Sequence, residues 1–175
     1  MLASSSGWCG GDRFTLLQQE AEKIAQEFVG TLKPQLLNAM QQGGPEEAVK
    51  ICAKVAPQIS MQLSSDSGWQ VKRVSLRARN TSTAIPDSWE KTVLEEFDQR
   101  HASGETADVL SATIQTDNEF RYMKAQGVGP LCLTCHGDAV ADNVKQVLKT
   151  YYPDDRATGY RLGEIRGAIS LTRPL

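Results

Sequence analysis

The chain has 175 residues, 40% hydrophobic and 23% charged, with a formal net charge of -2 and a pI near 5.7. That length can bury one core and not two ordinary ones, so a single domain carrying one long extra element is expected. Near-neutral charge gives no electrostatic footprint for nucleic acid or anionic lipid, and no stretch reaches the ~18 consecutive apolar residues of a spanning helix.

The opening "MLASSSGWCGG" lacks the basic start and apolar run of a signal peptide, so residues 1–11 read as a disordered N-terminal segment or the remnant of a processed leader. Cys9 reads as an incidental free thiol. A lipid-anchoring site is the alternative, but Ser6 stands where such a site usually has Leu.

From Asp12 to Gln42, apolar residues recur at Phe14, Leu17, Ala21, Ile24, Phe28, Leu32 and Leu36. Spacings of three and four predict a long amphipathic helix over 12–42, with Pro34 as the place for a kink. The stripe serves either core packing or a homodimer seam. In "GGPEEAVKICAKVAP", Gly44 is a cap, Pro45 takes the first helical position, and Glu46 and Glu47 lie beside the positive end of the helix dipole. A second, short helix follows, with Ala48, Ile51, Cys52 and Val55 on its apolar face and Cys52 pointing inward.

"WQVKRVSLRARN" alternates with a phase slip at Arg73 and Val74, which predicts a strand with a bulge, ended by "RNTSTAIPD". "PDSWEKTVLEEFDQRH" starts with a capping Asp or Ser and places Trp89, Val93, Leu94 and Phe97 on one helical face. "ADVLSATIQTDNEFRYMKAQGV" reads as a hairpin around "TDNE". A helix through Val144, Val147, Leu148 and Tyr151 comes next, then a polar loop and a last strand in "EIRGAISLTRPL". The order implies an α+β domain with one antiparallel sheet.

Four cysteines, Cys9, Cys52, Cys132 and Cys135, are too few for a disulfide framework and indicate site chemistry. "CLTCH" has the CxxCH spacing of a c-type haem attachment site: two thiols form thioethers to the haem vinyl groups, and the adjacent His places its imidazole on the iron. These are Cys132, Cys135 and His136. A zinc site would have to draw on Cys52, His101 and Cys9, none of them paired in sequence. A thioredoxin-like dithiol would follow a strand in a βαβ unit, and no such unit precedes Cys132. The second axial ligand sets the potential, and the candidates are Cys52, His101, Met40, Met61 and Met123. Cys52 combines an anionic soft donor with an inward helical face; its rival role is an inert buried thiol. His101 sits at a helix end, where a solvated histidine is expected.

The blocks "AVKICAKVAP", "RVSLRARN" followed by "IPDSWE", "CLTCHG" and "YYPDDRATGYRLGEIRGAISL" resemble, in that order, a bacterial and cyanobacterial family of monohaem c-type proteins with a PAS-like fold, the Tll0287-like haem domains. The resemblance runs from about Ala48 to Leu171. It implies one covalent haem c on Cys132 and Cys135, with His136 and Cys52 on the two faces of the iron. It also implies a PAS-like central antiparallel sheet flanked by helices within a single domain over 12–175. Arg73, Arg77, Arg79, Arg156, Arg161 and Tyr160 fall in the matched blocks and are candidates to pair with haem propionates, Arg73 and Tyr160 foremost.

The expected function is a low-potential His/Cys-ligated cytochrome of the periplasm or thylakoid lumen that senses redox state or a diatomic gas, CO or NO, once Cys52 leaves the reduced iron. A redox protein or a membrane signalling protein is the expected partner. The alternative is an electron carrier in which both ligands stay bound. Haem enzymology would need a distal acid/base, and apart from His136 only His101 offers one.

Overall fold

One helix accounts for a third of the chain: α1 (Cys9–Ser67) is helical throughout except at Gly44, where φ is 68° and ψ is -165°. The computed structural model describes residues 9–175, so the reading of residues 1–8 as a leader remnant lies outside the described residues. Residues 9–11 belong to α1.

The break falls where "GGP" places it. Glycine takes the positive φ without a Cβ penalty, and Pro45 starts the second half. Two expectations are corrected. The first half passes through Pro34 with helical backbone angles, and the second half continues past Pro57 to Ser67 instead of ending there. Buried Ala56, Ile59 and Leu63 hold that extension against the sheet. The stripe Leu17, Ala21, Ile24, Phe28 and Leu32 packs into the chain's own core beside Val71, Phe120, Tyr122, Ile169 and Leu171.

The sheet contains β1 (Gln70–Val74), β2 (Ser111–Gln115), β3 (Glu119–Gly127) and β4 (Ile165–Pro174) in the order β1-β4-β3-β2, every pair antiparallel. Helix α1 covers one face. The other carries α2 (Ser88–Ala102), whose Val93, Leu94 and Phe97 meet Val74, Met123 and Ala168. Asp87 and Glu90 form a reciprocal capping box at the start of α2. The fully buried Glu90 also accepts from Lys72 at 3.0 Å and Ser170 at 2.6 Å, fastening α2 to β1 and β4. Between β3 and β4 lie a 3-10 turn (Pro130–Cys132), α3 (Leu133–His136) and α4 (Asp142–Tyr151), with Val144 and Leu148 of α4 packed on Val49 of α1.

The first strand is shorter than expected. Phase breaks at Val74 because the strand ends: Ser75 turns its N–H to the Ala84 carbonyl and donates its hydroxyl to the carbonyl of Arg166. The irregularity in the ladder lies instead between Gln126 and Gly127 of β3, opposite the start of β4. There Gly167 has φ 153°, and a Cβ on it would sit 2.4 Å from the Val74 carbonyl oxygen. The slip reverses the faces. Strict alternation from Ile169 and Leu171 would put Ile165 toward α1, yet Ile165 packs with Ala168 and Leu94 on the α2 side. Arg166 is thereby turned toward α1.

Candidate functional site

A cavity of about 390 Å3 lies between the second half of α1, the end of β1, the segment 79–84, α3 and the start of β4. It brings together Cys52, Arg73, Cys132, Cys135 and His136. Its walls also contain Met40, Met61, Arg77, Arg79, Tyr152, Ala157 and Arg166.

The motif is helical because Pro130 starts a tight turn that runs into α3, and Gly137 lets it stop. The N–H of Gly137 donates to the Leu133 carbonyl at 2.9 Å. A Cβ at Gly137 would approach that oxygen to 2.6 Å. The carbonyl of His136 then accepts from the N–H of Tyr160 at 2.9 Å, tying the motif to the loop before β4.

His136 is held by its Nδ1, 2.8 Å from the carbonyl of Ala157. A carbonyl only accepts, so Nδ1 carries the proton and Nε2 presents a lone pair. Nη1 of Arg79 and Nη1 of Arg166 each lie 3.4 Å from Nε2. Burial, followed by the charges of Arg166 and Arg79, pushes the pKa of His136 down to about 2. The imidazole is therefore neutral at physiological pH, with the basic nitrogen available to a metal.

Arg79 is the fastening of the site. Its Nε lies 3.2 and 3.1 Å from the two carboxylate oxygens of Asp155, and its Nη2 donates to the carbonyls of Cys135 and, at 3.1 Å, Ala157. One planar guanidinium thus fixes the haem-like motif, the carbonyl that orients His136 and the 155–157 loop.

Cys52, Cys132 and Cys135 are free thiols. Burial pushes the Cys52 thiol up, opposed by the nearby charges of Arg73, Arg166 and Arg79. Burial likewise raises Cys135, against the pull of Arg79. Arg73 lies in the same cavity, its guanidinium 5.7 Å from the ring of Phe28; burial and the charge of Arg166 hold its pKa below the usual guanidinium range.

Other sequence-derived candidates lie elsewhere. Tyr160 faces a second recess of about 450 Å3 with Asp98 and His101. Its hydroxyl donates to the Arg166 carbonyl at 3.3 Å, and its ring lies 3.6 Å beneath Arg77. It supports His136 from behind, with ring centroids 6.2 Å apart, and does not line the cavity. His101 donates from Nδ1 to the Glu105 carbonyl at 2.9 Å. Met123 is buried on the α2 side, and Arg156 and Arg161 are exposed. Of the alternative axial candidates, Met40 and Met61 reach the cavity wall. Among the described residues, no three His, Cys, Asp or Glu side chains are grouped to hold a metal ion by themselves.

Sequence reasoning missed Arg166, whose orientation depends on the slip at Gly167. It also missed the latch role of Arg79, which joins residues 56 and 76 positions away.

No curated protein matches the chain. Among solved structures it is similar to the cyanobacterial heme-protein Tll0287, with 25% identity and a TM-score of 0.66, over 95% of this chain and 97% of that one. A family profile described as Tll0287-like matches residues 13–174, which spans the sheet, both halves of α1 and every residue of the cavity. With the α+β architecture in agreement from end to end, the chain belongs to the Tll0287-like family.

Proposed function

We propose that this chain is a c-type haem protein in which Cys132 and Cys135 bear the thioether links, His136 Nε2 is one axial ligand and Cys52 Sγ is the other. The observation that carries this reading is the state of His136. Its Nδ1–H is engaged by the Ala157 carbonyl, and its Nε2 lone pair faces the cavity beside Cys132 and Cys135 with only two long guanidinium contacts at 3.4 Å, the way a protein holds a ligating imidazole. The remaining residues fit the group: a third thiol, apolar walls from Leu32, Leu36, Val49 and Ala56, and an excess of arginine. The similar structure's description as a heme-protein supports the cofactor class.

Haem bound there supplies a one-electron redox centre whose potential is lowered by a thiolate ligand. The chain's own part is to hold His136 neutral and fixed, and to keep Cys52 on a helix segment that begins afresh at Gly44. In the sensing reading, one electron from an external donor would weaken the hold on Cys52 Sγ, which would take a proton from solvent and withdraw. The side chain alone would move, since Val49, Ala56, Ile59 and Leu63 keep that half of α1 in the core, and the space it leaves would admit CO or NO.

We place the protein in the periplasm or thylakoid lumen, where haem c is attached, with a redox protein or a membrane signalling protein as partner. An enzymatic role is disfavoured, because no carboxylate lines the cavity and His101 lies in the other recess.

The test is a pyridine haemochrome assay and absorption spectra on the native protein and on Cys52→Ala. One covalent haem per chain, a ferric spectrum altered in the variant, and a reduced spectrum that responds to CO are expected. Absence of haem overturns the cofactor; an unchanged ferric spectrum in Cys52→Ala overturns the axial assignment. A reduced native protein blind to CO makes the chain an electron carrier.

A further inference from the structure

Five cationic side chains line the cavity, Lys72, Arg73, Arg77, Arg79 and Arg166, and no carboxylate does. Three of the five are neutralised from outside it. Lys72 pairs with Glu90 at 3.0 Å, Arg79 with Asp155 at 3.1 Å, and Arg77 with Glu164 at 3.8 Å. Among the described residues, neither Arg73 nor Arg166 has a carboxylate within ion-pair distance. Arg166 has in addition a buried Nε with no hydrogen-bond partner, and its Nη1 makes only a long contact to His136. Guanidinium groups held partly out of water without anions carry a cost that a ligand bringing the anions removes.

The two arginines come from neighbouring strands. Arg73 follows Val71 on the α1 side of β1, and Arg166 reaches the same side of β4 only through the slip at Gly167. Burial of Arg73 and its repulsion by Arg166 both weaken its hold on its own proton, as expected of two cations waiting for a shared counter-charge.

We infer that Arg73 and Arg166 form a two-arginine cradle for a ligand bearing two carboxylates, the two propionates of the haem, while Arg79, already paired with Asp155, holds the motif and does not meet the propionates. This rests on the haem reading above and adds to it which residues fix the cofactor's polar edge. With the cofactor bound, both Nη1 contacts to Nε2 would give way: Arg166, which has no other partner among the described residues, would turn to a carboxylate, while Arg79 would keep its bonds to Asp155 and to the carbonyls of Cys135 and Ala157. Each arginine offers two parallel N–H groups to one carboxylate, a match that lysine cannot make.

The test is a titration of the haem-free full chain with ferric haem and with its dimethyl ester, whose carboxylates are blocked. The native chain is expected to prefer the free acid by on the order of tenfold or more for each pair. Arg73→Gln and Arg166→Gln each remove about half of that preference on a logarithmic scale, and Arg73→Lys and Arg166→Lys restore it only in part. Because the native chain supplies the main comparison, a variant that fails to fold does not spoil it. Equal affinity for acid and ester overturns the cradle while leaving the haem reading intact. Binding of neither compound overturns the haem reading and the cradle with it. If acid and ester bind alike and acetate raises the thermal midpoint of the native chain but not of the double Gln variant, the arginines serve a free anion, which also overturns the propionate assignment.

Discussion

Arg79 and Asp155, 76 residues apart in sequence, form a two-oxygen contact that is only 14% and 11% exposed, and the same guanidinium continues to the carbonyls behind Cys135 and His136. Breaking a buried pair from one side leaves an uncompensated charge, at about 3 kcal/mol. Asp155→Ala should lower the thermal midpoint by that order and loosen His136. Asp155→Asn, which keeps an acceptor for the Ala157 N–H, should cost less. Thermal melts of the two variants check this; equal and negligible losses would show that the latch holds nothing.

Gly167→Ala and Gly30→Ala make a matched pair. At Gly167 the added methyl meets the Val74 carbonyl at 2.4 Å, and the backbone lies in a region open to glycine. Prying β1 from β4 there should cost ~1–3 kcal/mol. Gly30 sits exposed inside α1 with open space around its Cβ position, so alanine should stabilise by about 0.5–1 kcal/mol through helix propensity. Urea unfolding of both variants gives the two signs; a stabilised Gly167→Ala would contradict the slip described above.

Alkaline pH offers a further handle. Burial first, and then the charge of Glu22, pushes Tyr122 up to about 12 from an ordinary value of 10.0. The folded chain therefore keeps a proton that the unfolded chain gives up. Its contribution is fully present below pH 10 and is lost as pH rises toward 12, at ~1.4 kcal/mol per unit for this one group. Comparing urea midpoints at pH 9 and 11, Tyr122→Phe should lose less stability than the native chain. Parallel losses in the two proteins would rule Tyr122 out as the source.

Elements governed by local chemistry were readable from the sequence. The capping Asp at the start of α2, the hairpin around "TDNE" and α4 all lie where residue type and period place them, while the reciprocal contact of Glu90 was found only in the structure. The CxxCH motif was readable because its three reactive groups are contiguous, and Cys52 because an inward helical face leaves a periodic mark. What escaped depends on distant partners. Nothing near Pro57 signals that Ile59 and Leu63 will carry α1 on to Ser67. The face of Arg166 is decided by a backbone slip shared with Val74 and Gly127. The duty of Arg79 is set by Asp155, which is one of three acidic residues within "YYPDDRATGYRLGE" and cannot be told from the others by pattern.

The strand that completes the sheet is the last one made. β1 pairs with β4 alone, joining Gln70 to Thr172, and β3 reaches β1 only through it. Until residues 165–174 dock between them, the two older strands are unconnected and the cavity lacks the Arg166 side of its wall. Such long-range closure is slow compared with forming helices or a hairpin. The thiols of Cys132 and Cys135 therefore stay in an open chain until residues 165–174 dock, and the arrival of β4 then closes the cavity around them.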